Sequence, residues 1–202
     1  MKIILISGKK RAGKDFIGSL IQRKLEAKGK KVSKVAYADS VKDIICRTFE
    51  ISRQTLDDLK NNKAEIYIKD TDIVQNPKTS TVFKKISDFR LLLQRFATEG
   101  MRAEFGEDVW VDVFKKKAQK LKEQGVDYII VTDWRFNAEA LEDINNVYRI
   151  RVKGMYDSDA DKHRSETELD TYKNFDYVID NTKRPPEDEI PLPDFVNETS
   201  NE

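Results

Sequence analysis

The sequence has few of the residues that mark the specialised classes of protein. Among its 202 residues there is one cysteine, Cys46, with eight glycines and five prolines. A lone cysteine forms no disulfide within the chain, which is consistent with a reducing compartment such as the cytoplasm. The low glycine and proline contents exclude collagen-like and low-complexity chains, and no apolar run approaches the ~18–20 residues that span a bilayer. We therefore expect a folded, soluble cytoplasmic domain without a membrane partner.

The sequence also lacks a large excess of either positive or negative charge. Lys and Arg number 37 and Asp and Glu 36, so the formal net charge is +1. The charges are unevenly distributed, because residues 185–202 (PPEDEIPLPDFVNETSNE) carry six acidic side chains and no basic one. Removing these six negative charges leaves +7 for residues 1–184. The composition predicts a basic folded domain over 1–184, followed by an acidic, proline-rich and disordered tail over 185–202.

Strand-like apolar runs alternate with helical patterns in the first 184 residues. The predicted strands are Lys2–Ile6, Val32–Tyr37, Tyr128–Thr132, Val147–Val152 and Tyr177–Asp180. The predicted helices cover residues 14–28, a segment capped by Asp39, 53–61, a long segment from a Ser87 cap to Phe105, about 109–121, and 137–144. The pattern is weak between residues 52 and 85. Such alternation favours an α/β fold with a central parallel sheet covered on both faces.

A basic loop flanked by glycines lies between the first strand and the first helix. Gly8–Asp15 reads GKKRAGKD, in the strand–loop–helix context that a Walker A loop requires. Glycines let backbone N–H groups turn toward phosphate oxygens, and the start of the helix adds positive potential. Lys14 would reach the β and γ phosphates of a nucleotide, and Asp15, which replaces the usual Ser or Thr, is a candidate Mg²⁺ ligand. The candidate nucleotide-binding residues are Gly8, Lys10, Arg11, Ala12, Gly13, Lys14, Asp15 and Phe16.

Residues after the third strand are further candidates. Asp133 and Arg135 follow Tyr128–Thr132 directly, and ligands of open α/β sheets bind at the carboxyl ends of the strands. Arg135 is therefore a candidate catalytic and substrate-binding residue, and Asp133 a candidate ligand of Mg²⁺ and substrate. The alternative is a structural ion pair between these two side chains.

Four segments of the sequence, one of which contains the basic loop, carry motifs that occur together in one protein family. The four are SGKKRAGKD (Ser7–Asp15), YADSVKDII (Tyr37–Ile45), LLLQRFATEGMRAEFGEDVWVDVF (Leu91–Phe114) and VTDWRFNAEA (Val131–Ala140). Together they resemble the bacteriophage deoxynucleoside monophosphate kinases of the P-loop NTPase superfamily. The resemblance extends to about residue 180 and departs from the family at Phe96-Ala97, where glycine often precedes Thr-Glu.

This resemblance implies a fold, a reaction and a location. The fold is the three-layer fold of P-loop nucleoside monophosphate kinases, with a central parallel sheet. ATP would donate a phosphoryl group, with Mg²⁺, to a deoxynucleoside monophosphate. An acceptor-binding helical part would occupy about 37–110 and a lid-like segment about 153–170. A chain encoded by a phage would act in the host cytoplasm.

The resemblance and the spacing also suggest residues for the acceptor and the lid. Gln94 and Arg102 are eight residues apart, about two α-helical turns, and would contact the base and the phosphate of the acceptor. The substrate-binding candidates are Asp39, Lys42, Gln94, Arg102, Trp110, Asp133 and Arg135, and core packing is the favoured interpretation of Trp110. Arg164 is a candidate catalytic lid residue near Arg151 and Lys153, and His163 beside it is expected to be structural.

Other functions stay open at this point. The acceptor could be dephospho-coenzyme A or a phosphomevalonate-like compound, and the +7 body also suits a basic nucleic-acid-binding module. The kinase interpretation requires no nucleic acid. The sequence does not decide which bases are accepted, or between a monomer and a homodimer.

Overall fold

The computed structural model describes residues 1–62, 64–69, 83–154 and 164–197. The chain divides into two compact units, one of Met1–Tyr37 with Asp108–Glu202 and one of Ala38–Glu107. The second unit covers nearly the residues that the sequence assigns to an acceptor-binding part. Within the described ranges, every helix is too short or too polar to cross a bilayer.

The elements follow one another in the alternating order that the sequence indicates. They are β1 (Lys2–Ser7), α1 (Lys14–Glu26), β2 (Val32–Lys34), α2 (Ala38–Thr48), α3 (Arg53–Asn61), β3 (Glu65–Lys69), β4 (Phe83–Asp88), α4 (Phe89–Gln94), a π-helix (Arg95–Arg102), α5 (Ala103–Phe105), α6 (Val109–Glu123), β5 (Tyr128–Val131), a 3₁₀ helix (Asn137–Ala140), β6 (Val147–Gly154), α7 (Arg164–Thr167), a 3₁₀ helix (Glu168–Asp170), β7 (Tyr177–Asn181), a 3₁₀ helix (Glu187–Glu189) and α8 (Asp194–Asn197).

The first unit is built on a five-stranded sheet in the order β2-β5-β1-β6-β7. All of its strand pairs are parallel. Neighbouring residues of β1 point to opposite faces, yet Ile3, Ile4, Leu5 and Ile6 are all buried. Both faces of the sheet are therefore covered, which confirms the α/β fold with a central parallel sheet.

The order of the strands places the carboxyl end of β1 at a reversal in the path of the chain. After β1 the chain forms the strands on one side, β2 and β5, and then the strands on the other, β6 and β7. Ligands of open α/β sheets bind at the carboxyl edge where the strand order reverses. The basic loop after β1 occupies this position.

Helix α1 packs its apolar side on the sheet. Ile17, Leu20, Ile21 and Leu25 are buried in the cluster that contains the core of β1, at the i, i+3, i+4 and i+8 spacing of one helical face. The chain turns at Gly29 in the left-handed region, with φ 72°. The predicted helix and its glycine stop are confirmed.

The second unit contains helices and an antiparallel pair of strands, β3 and β4. Its core includes Ile45, Leu56 and Phe89. The predicted Ser87 cap is wrong, because β4 continues through Asp88 and α4 begins only at Phe89. Asp88 is the N-cap instead, since its carboxylate accepts a hydrogen bond from the N–H of Leu91 at 2.8 Å. The expected long helix consists of α4, the π-helix and α5.

The predicted helix over 137–144 is only a short 3₁₀ helix, Asn137–Ala140. Leu141 then adopts a left-handed conformation with φ 51°, which a continuing α-helix excludes. The segment has helical apolar spacing, but the Glu139 side chain folds back on the residue before the 3₁₀ helix, where its carboxylate accepts a hydrogen bond from the N–H of Phe136 at 3.1 Å.

The prediction of a disordered tail is wrong for residues 185–197. Ile190, Leu192 and Val196 are buried in the main core, and the Phe195 ring stacks on Tyr148 at 4.0 Å between centroids. Average composition hid these apolar residues because acidic and proline residues separate them. Residues 198–202 lie outside the described ranges.

Candidate phosphate-binding site

The loop between β1 and α1 is fixed by close packing. Gly13 has φ 96°, and a Cβ placed on it would stand 2.4 Å from Nδ2 of Asn181. That amide donates a hydrogen bond to the Ala12 carbonyl at 2.9 Å. A Cβ on Gly154 would stand 2.4 Å from the Ala12 Cα. Residues at the ends of β6 and β7 thus pack directly against the loop, so only glycine fits at positions 13 and 154.

Lys14 begins α1, and its ammonium turns back over the loop. Its Nζ donates hydrogen bonds to the carbonyls of Gly8 at 2.8 Å and Lys9 at 2.9 Å, and the residue is 8% exposed. Burial, and after it the positive charge of Arg135, lower the pKa of Lys14 from 10.5 to about 8. A cation held in this way against the loop carbonyls can reach an anion in the loop by a small change of side-chain torsions.

The other nucleotide-binding candidates differ in exposure. Gly8 and Gly13 are partly exposed and Ala12 is buried, whereas Lys10, Arg11, Asp15 and Phe16 are exposed. Arg11 has a left-handed φ of 66°, so the loop combines left-handed residues at 11 and 13 on either side of a buried alanine. Alternating conformations of this kind turn successive N–H groups toward one concave side.

Asp15 and Asp133 provide carboxylates on elements that meet at the carboxyl edge. The Thr132 hydroxyl donates a hydrogen bond to Asp15 Oδ1 at 2.6 Å, and the Tyr37 N–H donates one to Asp133 Oδ1 at 3.0 Å. The described part of the chain contains no cluster of three or more His, Cys, Asp or Glu that could hold a metal. Mg²⁺ in phosphate sites usually takes one or two carboxylates, substrate phosphates and several waters. This donor set fits that kind of coordination and does not form a cage made by protein alone.

Arg135 is held by acidic groups on both its backbone and its side chain. Its N–H donates a hydrogen bond to the buried Glu139 carboxylate at 2.8 Å. Its guanidinium forms an ion pair with Glu166, which has 8% of its side chain exposed, and donates to the Ser165 carbonyl at 3.2 Å. The alternative interpretation, an ion pair between Asp133 and Arg135, is not seen among the described residues, where Glu166 is the ion-pair partner of Arg135. Arg135 lies near Lys14, whose pKa it lowers.

Arg164 also contacts the loop that carries Arg135. Its guanidinium lies 5.4 Å from the centroid of the Phe136 ring, and its Nε donates to the Glu168 carboxylate at 2.5 Å. The other Glu168 oxygen accepts a hydrogen bond from the N–H of Asn137 at 2.8 Å. Residues 155–163 of the predicted lid, with His163, lie outside the described ranges.

The candidates of the second unit have partners within that unit. Asp39 pairs with Arg53 at 2.7 Å, and Lys42 pairs with Asp57 at 2.8 Å. Burial alone would raise the pKa of Asp57, but hydrogen bonds from Lys42 and Lys60 lower it to about 2. These ion pairs tie α2 to α3.

Gln94 and Arg102 are not related by two α-helical turns, because residues 95–102 form a π-helix with fewer turns for the same number of residues. The Arg102 side chain is 2% exposed and donates to the Glu107 carbonyl at 2.5 Å. The Arg102 guanidinium, a candidate for binding the acceptor phosphate, is therefore buried and contacts the chain just after α5.

Trp110 belongs to the first unit and is 4% exposed in α6. Its ring is covered by protein, so it offers no face for stacking on a base in this structure. The favoured interpretation of this residue, packing in the core, is confirmed.

Sequence reasoning missed several residues that shape the site. Glu139 and Asn181 are polar, 2% and 7% exposed, and each binds a backbone group of a segment that carries candidate site residues. Glu139 lies within the segment Val131–Ala140 but was given no role, and the only sequence signal for Asn181 is its place at the end of a strand. Thr132 and Glu166 were passed over because their partners, Asp15 and Arg135, are 117 and 31 residues away.

Searches of the chain against family models and against curated proteins find no match.

Proposed function

We propose that this chain is a P-loop kinase of the nucleoside monophosphate kinase type, which transfers a phosphoryl group from ATP to a deoxynucleoside monophosphate. The three-layer architecture of that class is part of the proposal. The main support is Lys14, buried at the start of α1 with its ammonium on the carbonyls of Gly8 and Lys9. A strand, a glycine-flanked loop and a helix with this lysine are the parts of a phosphate cradle.

Donor and acceptor in such a reaction are both anions, so an enzyme must align them and neutralise the charge of the transferred group. Lys14 would bind the β and γ phosphates. Arg135, close enough to lower the pKa of Lys14, would stabilise the charge that develops on the transferred group. Arg164 would close over the donor and exclude water.

Magnesium would be held by Asp15 and Asp133, with Thr132 fixing the orientation of the Asp15 carboxylate through its 2.6 Å hydrogen bond. When bound, the ion would neutralise phosphate charge and orient the phosphate oxygens. For the acceptor the proposal rests on the resemblance of the segments Tyr37–Ile45 and Leu91–Phe114.

The test is ADP formation from ATP and Mg²⁺ in the presence of each deoxynucleoside monophosphate and ribonucleoside monophosphate. We expect at least one deoxynucleotide to raise the rate far above that without acceptor, and K14M to lower kcat by orders of magnitude. Lys115, an exposed lysine paired with Asp143 at 2.9 Å, provides the matched control K115M, which should retain activity.

Three results would contradict this proposal in different ways. If no monophosphate accelerates ADP formation, the acceptor is wrong, and turnover of dephospho-coenzyme A or phosphomevalonate would replace it. Normal turnover by K14M would remove Lys14 from the mechanism. Salt-dependent DNA binding without any nucleotide turnover would favour the nucleic-acid-binding function.

A further inference from the structure

Two cations beside the phosphate loop are held together by one carboxylate. Lys9, within the loop, and Arg151, on β6, both form ion pairs with Asp170, and each binds a different oxygen. The Arg151–Asp170 distance is 3.2 Å. The side chains of Lys9 and Arg151 are only 11% and 16% exposed, whereas that of Asp170 is 36% exposed. The carboxylate therefore covers the cations from the solvent side.

The surrounding contacts prepare this place for an anion. Arg151 is oriented by a second hydrogen bond, from Nη1 to the Ser7 hydroxyl at 3.0 Å. Lys9 Nζ is oriented by the Glu166 carbonyl at 2.8 Å. Ser7 and Arg151 are paired in the register of β1 and β6, so sheet backbone fixes the distance between the loop and the guanidinium. Two cations on rigid elements, whose charges converge on two oxygens of one group, form the geometry that also binds a phosphate.

Asp170 belongs to the segment of residues 164–170 (RSETELD), whose two other acids also form ion pairs with arginines. Glu166 pairs with Arg135 and Glu168 with Arg164. Acids at alternate positions thus pair with Arg135, Arg164, Lys9 and Arg151, and two of these, Arg135 and Arg151, act electrostatically on Lys14. A polyphosphate would bring more negative charge than these cations can neutralise while the carboxylates stay bound.

We propose that Lys9 and Arg151 form a second anion site beside the phosphate loop, that Asp170 occupies it in the absence of ligand, and that a phosphate group of the nucleotide displaces this carboxylate. The site rests on the proposed function only for the identity of its ligand as a nucleotide phosphate. The acidic segment then acts as an internal competitor, and its release is coupled to binding.

The test is a calorimetric titration of the full chain with inorganic tripolyphosphate, at one pH and low salt. D170N removes the competitor, so we expect binding about tenfold tighter than in the wild type, equivalent to about 1.4 kcal/mol. The melting temperature without ligand should fall at the same time, because two ion pairs are lost. D143N removes the same charge from the exposed Lys115–Asp143 pair and should leave the affinity unchanged.

A double-mutant cycle separates a local site from a general effect of charge. In the K9M chain, the factor by which D170N tightens tripolyphosphate binding should be less than half of the factor seen in the wild type, because one of the two cations is gone. R151Q tests the site in a chain that keeps Asp170, and it should weaken tripolyphosphate binding several-fold.

Unchanged or weaker binding by D170N would overturn the site while leaving phosphate binding by the Lys14 loop intact. Should D170N not fold, unchanged affinity of R151Q would overturn the site in its place. Failure of the wild type and D170N alike to bind tripolyphosphate would overturn the phosphate loop itself, and the second anion site with it.

Discussion

The protonation of Lys14 should make nucleotide binding depend on pH near 8. Burial, assisted by Arg135, disfavours the ammonium form of Lys14 and lowers its pKa to about 8. A bound phosphate favours the ammonium form and raises the pKa again. Binding therefore takes up a proton when the pH is near or above 8, and affinity falls as the pH rises through that value.

The expected loss of affinity at high pH follows from the size of the pKa shift of Lys14. Lowering the pKa from 10.5 to about 8 corresponds to about 3 kcal/mol that disfavours the charged form in the ligand-free protein. Below pH 8 most molecules keep the ammonium. At pH 9 about one molecule in ten keeps it, so the apparent affinity for ATP should be roughly tenfold weaker than at pH 7, by the fraction that is competent to bind.

The measurement is calorimetric binding of ATP at pH 7, 8 and 9 in buffers of different ionisation enthalpy, which reports affinity and proton uptake together. Phosphate oxygens are already ionised over this range, so the ligand contributes little to the pH dependence. K14R is the matched control, because a guanidinium stays charged at all three pH values. A flat profile in the wild type, or the same tenfold loss in K14R, would refute the assignment of the titration to Lys14.

Two substitutions, each with a matched control, test the packing of the loop and of the C-terminal segment. Gly13→Ala should abolish phosphate binding and destabilise the fold by at least about 1–2 kcal/mol, because φ at this position is 96° and the added Cβ would stand 2.4 Å from the Asn181 side chain. The control is Gly29→Ala, which is also left-handed but has open space around its Cβ, so it should have only the backbone cost and should bind phosphate normally in the same titration. Equal binding by the two variants would contradict the role of the contact with Asn181. Val196→Ala should lower the free energy of unfolding by about 2 kcal/mol in urea denaturation, because Val196 is fully buried. The control is Val178→Ala, at a side chain that is half exposed, which should change the free energy of unfolding by less than about 0.5 kcal/mol. Equal effects would mean that the C-terminal segment contributes nothing to the core.

The centre of the sheet was predictable because its strands β1 and β5 are nearly uninterrupted apolar runs. Lys2–Ile6 and Tyr128–Thr132 each bury both faces, so nearly every residue is apolar and no alternation has to be recognised. All five predicted strands are present in the sheet, with ends that differ by one to three residues. Their order was not predictable, since apolarity does not determine which strand pairs with which.

The errors in helices have a common physical source. Ser87 and Asp88 are both good N-caps, and pairing of β4 with β3, a tertiary contact, continues as far as Asp88, so the helix begins only after it. The segment before Leu141 ends for a different reason, because the Glu139 carboxylate binds the backbone N–H of Phe136 and the chain turns at Leu141. Apolar spacing indicates that a helix can form, but side-chain contacts and strand pairing decide where it begins and ends.

For the candidate site, sequence reasoning identified the loop and the residues next to strand ends, and missed the partners that hold them. Lys14 and Arg135 were found because the loop spacing and the strand end predict them. Glu166 and Asn181 were missed because a buried polar residue is recognised only by what it contacts. Arg102 was assigned to the acceptor phosphate on the spacing of a regular α-helix, although it is buried at the end of a π-helix.

The local pairing of charges changes what the total charge means for binding. A body of +7 suggests a surface that attracts any polyanion, yet Lys9, Arg135, Arg151 and Arg164 are each paired with an acid of residues 164–170. A nucleic-acid strand offers a series of single negative charges along its length, and each would have to compete with a carboxylate that is already bound and ordered. A nucleotide brings several charges to one point, so one binding event can release all of these carboxylates together. On this basis the site should favour compact polyphosphates over extended polyanions, although both carry the same kind of charge.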